Sequence, residues 1–171
     1  MKKTAIAYWL IPAKDKRQLF CEIIRILYRE FDAPNFDPHL TLFVNSKKGN
    51  APATVLRQIK AAPIRMSVGG IGFSPKFSKT LFVQFKSSRA LEKLVADLAR
   101  ATNSPAKSIH DPHVSLLYKN LSTATKKELA ATIRLPFREV VFDSISAVRC
   151  VLPVRGRTEV EAWRKLATKK L

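Results

Sequence analysis

Two short stretches hold the residues of this chain that can do chemistry together. They are Asp37-Pro38-His39-Leu40-Thr41-Leu42-Phe43 and Asp111-Pro112-His113-Val114-Ser115-Leu116-Leu117. Both read Asp-Pro-His, apolar, hydroxyl, Leu, apolar. In an extended strand, residues two apart share a face. His39 therefore pairs with Thr41, and His113 with Ser115. The two motifs use two of only three histidines in the chain. Each leading proline lacks an N–H and suits the place where a strand enters a sheet. Breaking a phosphodiester needs a base for the attacking water, an acid for the leaving oxygen and neutral donors on the non-bridging oxygens. Two imidazoles that titrate near neutral pH supply the acid and base, and Thr41 and Ser115 supply the donors.

Other chemistries fit less well. Zinc takes three or four ligands, usually with thiolate or carboxylate help. Here each histidine is partnered by Thr or Ser, although His110 lies close to His113 in sequence. Redox metals fare no better. A serine triad needs one Ser, one His and one acid, and has no use for a doubled set. Asp37 and Asp111 stand where they could orient the rings, but an Asp before Pro is more often a turn residue. The residues thus call for no metal and no cofactor.

The motif histidines are 113 − 39 = 74 residues apart, which points to an internal repeat. Thr4–Ile11 and Lys79–Phe85 both read as strands, and their starts are 79 − 4 = 75 apart. Each is followed by a helix, a motif strand, a helix and another strand. The expected architecture is α+β: a bilobal, duplicated fold with a pseudo-two-fold axis. Antiparallel sheets line a central cleft and helices lie outside, in a single domain spanning 1–171.

The elements that must position the motifs are legible in outline. Pro12 ends the first strand. Leu19, Phe20, Ile23, Ile24, Leu27 and Phe31 mark one face of a helix over Asp15–Phe31. Asn45–Asn50 is a polar loop, and Pro52 opens a short helix reaching Ala61. Ile64–Phe73 is a strand bulged at Gly69-Gly70. Ser88 caps a helix carrying Leu91, Leu94, Val95 and Leu98. Thr102–Ile109 is a loop, and Pro112–Tyr118 is the second motif strand. Ser122 caps a helix that ends before Pro136. Phe137–Phe142 and Ser144–Leu152 are strands, or one long bent strand. Arg155-Gly156-Arg157 is a turn, Val160–Ala167 reads as a final strand or a helix, with strand the better fit, and the lysine-rich end is frayed.

Composition bounds the partners. The 171 residues carry 31 Lys and Arg against 13 acids, a net charge of +18. Such a field attracts polyanions, so RNA ends or another phosphate-rich partner compete with a merely solvated basic surface. No apolar run is long enough for a membrane span. The start, Met-Lys-Lys-Thr-Ala-Ile-Ala, imitates a secretory signal, but charged residues follow Ala13 at once and the segment has a counterpart in the repeat. A cytoplasmic monomer is expected. Cys21 and Cys150, far apart and with no Cys-x-x-Cys, are expected to be small buried thiols, with a disulfide the unsupported alternative.

The paired Pro-His-x-[Ser/Thr]-Leu motifs resemble those of the two-histidine phosphoesterase superfamily. Tyr8-Trp9-Leu10-Ile11-Pro12, Phe36-Asp37-Pro38-His39-Leu40-Thr41 and Pro112-His113-Val114-Ser115-Leu116-Leu117-Tyr118 are most similar to the plant-type cyclic phosphodiesterases. That resemblance implies hydrolysis of ADP-ribose 1″,2″-cyclic phosphate or of nucleoside 2′,3′-cyclic phosphates. It implies a catalytic pair in His39 and His113, phosphate contacts from Thr41 and Ser115, and a substrate cleft lined by Tyr118 and Trp9. By the same analogy His113 is the base and His39 the acid, a choice the near-equivalent motifs leave open. The cysteine pairs of some plant members are not evident. The basicity keeps open an enzyme on RNA 2′,3′-cyclic phosphate ends, like the 2′-5′ RNA ligases of the superfamily. A non-catalytic nucleotide-binding or RNA-binding module is the remaining alternative. The positive field is expected to lower both imidazole pKa values, and a nearby Asp37 or Asp111 to oppose this.

Overall fold

A computed structural model describes residues 1–47, 49–105 and 108–171. The first repeat runs β1 (Lys3–Pro12), α1 (Lys14–Phe31), β2 (Leu40–Asn45), α2 (Pro52–Gln58) and β3 (Ile64–Phe73). The second runs β4 (Leu81–Phe85), α3 (Arg89–Ala101), β5 (His113–Leu117), α4 (Thr123–Thr132) and β6 (Glu139–Leu152). A tail adds α5 (Arg157–Glu161) and β7 (Arg164–Lys170). The loops expected at Asn45–Asn50 and Thr102–Ile109 extend outside the described residues at Lys48 and at Ala106 and Lys107.

Local chemistry accounts for the helices. In α1, Phe20, Ile24 and Leu27 follow the spacing of one face and are buried; burying such side chains stabilises by about 1.5–3 kcal/mol each. Helix α3 buries Leu91, Leu94, Val95 and Leu98, and the Ser88 hydroxyl caps it by accepting from Leu91 N–H at 3.2 Å. Ser122 does the same for Thr125 N–H at 3.1 Å in α4. Pro52 occupies the first turn of α2, where its missing N–H costs nothing.

All strand pairings among the described residues are antiparallel. The order is β1-β2-β5-β4-β3-β6-β7, and β1 also pairs with β6, so the sheet closes on itself. One half of the ring is β2-β1-β6 with β7 outside, and the other is β5-β4-β3. Each half therefore takes its third strand from the other repeat. Strands close in sequence tend to pair, and the short Ser74–Thr80 connection lets β3 fold back on β4. The long strand β6 serves both halves: residues from Glu139 to Phe142 pair with β3, and those from Phe142 onward pair with β1. The Gly69-Gly70 irregularity is present as a register shift, with Gly70 at φ +136°.

The tail differs from expectation. Arg155-Gly156-Arg157 is not a plain turn, because Gly156 is the N-cap of α5. The expected strand over Val160–Ala167 is split, with Val160 in that helix and the strand starting at Arg164. The lysine-rich end is ordered as β7, paired with β6 from Ser144↔Lys170 to Arg149↔Arg164. Backbone hydrogen bonding to an otherwise open strand edge outweighs the polar composition, and lysines on the new outer strand protect its edge. Lys79 lies in a 3-10 turn (Phe77–Lys79) rather than a strand. Thr80 causes this, since its hydroxyl bonds the carbonyls of Phe77 and Lys119 at 3.0 and 2.9 Å. No helix among the described residues is long and apolar enough to cross a membrane.

Candidate active site

The two halves meet along β3 and β6 on one side and at a single residue pair between the motif strands on the other. Among the described residues, strands β2 and β5 are joined only by Leu40↔Val114, and 114 − 40 equals the repeat offset of 74, so the pseudo-two-fold axis passes through this pair. Antiparallel register about it sets His39 across from Ser115 and Thr41 across from His113. Leu40 and Val114 are fully buried on the core face. Strand alternation then places His39, Thr41, His113 and Ser115 together on the opposite face. They line one cleft of about 190 Å³ with Ser78, Tyr118, Trp9 and Trp163. The structure thus brings together every site residue expected from the sequence. His110, weighed above as a metal ligand, lies outside this lining.

A duplicated β-bulge aims the motif residues. Between β1 and β2 the register jumps from Tyr8↔Phe43 to Trp9↔Thr41, passing over Leu42. Between β4 and β5 it jumps from Leu81↔Leu117 to Phe82↔Ser115, passing over Leu116. Hydrogen bonding therefore makes Phe82 the counterpart of Trp9, an offset of 82 − 9 = 73 rather than the 75 suggested by strand starts. Each histidine has its own aromatic neighbour. Trp9 stacks on His39 with centroids 3.7 Å apart and planes 13° apart. Phe82 meets His113 edge-on at 5.3 Å and 61°. Phe82 was not singled out by the sequence, because only the bulge puts it in register.

The rings are held in one tautomer. His39 Nδ1 lies 2.6 Å from the Asp37 carbonyl, and His113 Nδ1 lies 2.8 Å from that of Asp111. A carbonyl oxygen only accepts, so Nδ1 donates in both and Nε2 is left as the reactive nitrogen. The backbone of each Asp orients the ring, not its carboxylate. The carboxylates instead pair with lysines, Asp111 with Lys79 and Asp37 with Lys165 at 3.6 Å.

Burial dominates the electrostatics. It lowers His39 to about 4, against the Asp37 carbonyl and charge, which raise it; the charge of His113 adds to the depression. Burial also lowers His113 to about 4, aided by Lys79. The downward direction is as expected, but desolvation of the imidazolium rather than the overall field is the main cause. Burial pushes the Tyr118 phenol up to about 12, so it remains a neutral donor. Tyr118 also stacks on Phe36 at 4.2 Å. The Ser115 hydroxyl donates to the Ser78 carbonyl at 3.3 Å. Among the described residues no three His, Cys, Asp or Glu side chains are grouped to hold a metal ion.

Trp163 is a cleft residue that sequence reasoning missed. It stands edge-on to Trp9 at 5.0 Å, His39 at 5.5 Å and Tyr118 at 5.8 Å. Its place depends on the tail folding back onto β6, for which the local sequence carries no signal. Cys150 is buried and lines the cleft, whereas Cys21 is exposed, contrary to expectation. It occupies the outer side of α1, one residue beyond the buried Phe20.

Residues 4–171 match the family of cyclic phosphodiesterase-like proteins. The chain is similar to the cyclic phosphodiesterase of Arabidopsis thaliana, with 23% identity over 178 residues covering 98% of this chain and 95% of that one. Among solved structures it is similar to TT0787 of Thermus thermophilus, at a TM-score of 0.60 and 18% identity, covering 98% and 97% of the two chains. It is also similar to E. coli LigT complexed with 3′-AMP, at a TM-score of 0.58 and 14% identity, covering 100% and 99%.

Proposed function

The chain belongs to the family of cyclic phosphodiesterase-like proteins, and on that premise we propose that it hydrolyses a nucleotide cyclic phosphate to a phosphomonoester without a metal ion. The observation that carries this reading is the Leu40↔Val114 pair, which sets two imidazoles and two hydroxyls around one point with both Nδ1 atoms already committed. The phosphorus sits between the two Nε2 atoms. Thr41 and Ser115 donate to the non-bridging oxygens, and Ser115 gives up its bond to Ser78 to do so.

His113 takes a proton from water while His39 gives one to the leaving oxygen. The surroundings favour this division. The indole face of Trp9 and the Asp37 carbonyl stabilise an imidazolium at His39. The Lys79 ammonium disfavours one at His113. Before substrate binds, both rings are neutral at pH 7. The negative charge of the phosphodiester then favours protonation of one ring, and His39 is the better disposed. After ring opening, proton transfer back through water restores both.

The substrate is a small nucleotide, ADP-ribose 1″,2″-cyclic phosphate or a nucleoside 2′,3′-cyclic phosphate. A second cavity of about 300 Å³ adjoins the cleft across Trp9 and Trp163 and is lined by Phe36, Asp37 and Lys165, where the adenosine half of ADP-ribose would lie. The nucleotide bound by LigT supports a nucleotide ligand here too. The net charge of +18 favours a second reading, an RNA carrying a 2′,3′-cyclic end. The test is a side-by-side assay of ADP-ribose 1″,2″-cyclic phosphate, the four nucleoside 2′,3′-cyclic phosphates and a cyclic-ended RNA. His39→Ala and His113→Ala should each lower turnover at least about a hundredfold. Near-parental turnover in either variant would remove that residue from the mechanism. An RNA substrate would show kcat/KM falling steeply with salt, and a nucleoside substrate would not.

A further inference from the structure

The two motifs are nearly identical in sequence, yet their surroundings differ, and Lys79 is the clearest difference. Its side chain is only 17% exposed and its ammonium pairs with the Asp111 carboxylate. The same ammonium lies 4.2 Å from the centroid of the Phe82 ring, which itself rests against His113. The Asp111 backbone carbonyl holds His113 Nδ1. Ser78, next to Lys79, accepts from the Ser115 hydroxyl. The 3-10 turn is therefore clamped to the second motif at the Asp111 carboxylate and the Ser115 hydroxyl, and to the Phe82 ring that rests against its histidine. In the first motif the corresponding aspartate pairs with Lys165, and both side chains are more than half exposed, at 68% for Asp37 and 53% for Lys165.

We propose that Lys79 is a positioning residue that breaks the symmetry of the histidine pair, holding His113 in the role of base and leaving the role of acid to His39. This rests on the acid–base reading above. Among the described residues, the charge that acts on His113 is Lys79 from the turn; the Asp111 carboxylate from the loop before β5 pairs with that ammonium, and His39 lies across the axis in the same cleft. Strand β4 presents only the uncharged Phe82 and Gln84. The charge of Lys76 adds to the positive field around Lys79. At His39 the nearby charge of Asp37 favours the imidazolium, against desolvation and the charge of His113, and the flat indole of Trp9 covers the ring. Lys79 disfavours the protonated form of His113. Asp111 keeps the ammonium from turning into the cleft to bind phosphate itself, so its effect reaches the reaction through the imidazole.

The test removes the charge in two shapes, Lys79→Met and Lys79→Gln, with Lys79→Arg as the charge-retaining control. His113 is titrated by NMR in the substrate-free protein, and kcat and KM are measured across pH. Both neutral variants should raise the His113 pKa by roughly half a unit or more. They should lower kcat at acidic pH by making the base harder to free, and leave KM within about twofold. Lys79→Arg should keep the parental titration. A folded neutral variant whose His113 titrates as in the parent overturns the proposal, as does a raised KM with unchanged His113, which would make Lys79 a direct phosphate ligand. Because the titration is read without turnover, its failure is separable from failure of the reaction reading, which would appear as an active His113→Ala enzyme.

Discussion

Replacing Trp9 tests how the protein keeps a proton on a buried acid. The Trp9 ring lies 3.7 Å from the His39 ring and nearly parallel to it, and both residues are 5% exposed. A desolvated aromatic face stabilises a cation by about 1–2 kcal/mol. At about 1.4 kcal/mol per tenfold, losing it lowers the protonated fraction of His39 by about tenfold, because its pKa of about 4 lies below the working pH. Trp9→Leu should therefore lower kcat/KM for a cyclic phosphate about tenfold. Trp9→Phe, with a weaker face, should lower it about threefold. Truncating the side chain also costs stability, on the order of 2 kcal/mol for a buried large-to-small change, so a urea melt must accompany the kinetics. The discriminating assay uses an aryl phosphodiester, whose leaving group needs no acid. On that substrate Trp9→Leu should lose little activity. Equal losses on both substrates would make Trp9 a binding wall and nothing more, and unchanged kcat/KM on the cyclic phosphate would refute the reasoning outright.

Three other outcomes follow from the same geometry. The buried neutral His39 resists protonation in the folded state (about 4) more than in the unfolded state (6.5). Below pH 6.5 the unfolded chain binds a proton that the native one refuses, so stability falls from pH 6.5 towards 4, by on the order of 3 kcal/mol for this group. His39→Gln should flatten that part of the urea-midpoint profile relative to the parent, and an unchanged slope would contradict the burial argument. Exhaustive chelation should leave turnover within about twofold, whereas loss with recovery on adding a divalent ion would replace the two-histidine mechanism by a metal-assisted one. A Cβ at Gly72 would sit 2.7 Å from ring carbons of Phe82. Gly72→Ala should therefore push that ring towards His113, destabilise by about 1–3 kcal/mol and perturb the His113 chemical shifts more than those of His39.

Much of the site was legible because its information is local. A strand's period of two is enough to pair His39 with Thr41 and His113 with Ser115, and repetition of a seven-residue pattern signals two equivalent places in a fold. Capping chemistry placed the starts of α3 and α4 at Ser88 and Ser122, since a hydroxyl there satisfies an orphan N–H whatever the tertiary context. Helix periodicity likewise identified the buried faces of α1 and α3.

Tertiary structure decided what depends on partners distant in the chain. The exchange of β3 and β6 between halves is a choice among pairings that the same strands would satisfy equally in isolation. The lysine-rich end reads as frayed until the open edge of β6 offers it backbone hydrogen bonds, and only then does Trp163 reach the cleft. The twin bulges, set by how Leu42 and Leu116 are passed over, bring Phe82 rather than a residue at constant offset against His113. The aspartates were visible, but not that their carbonyls hold the rings while their carboxylates hold lysines. The sequence by itself determined two equal histidines. Folding made them unequal, because the electrostatic environment of a buried ring is set by whatever packs against it: an indole and Asp37 at one site, Phe82 and a clamped Lys79 at the other.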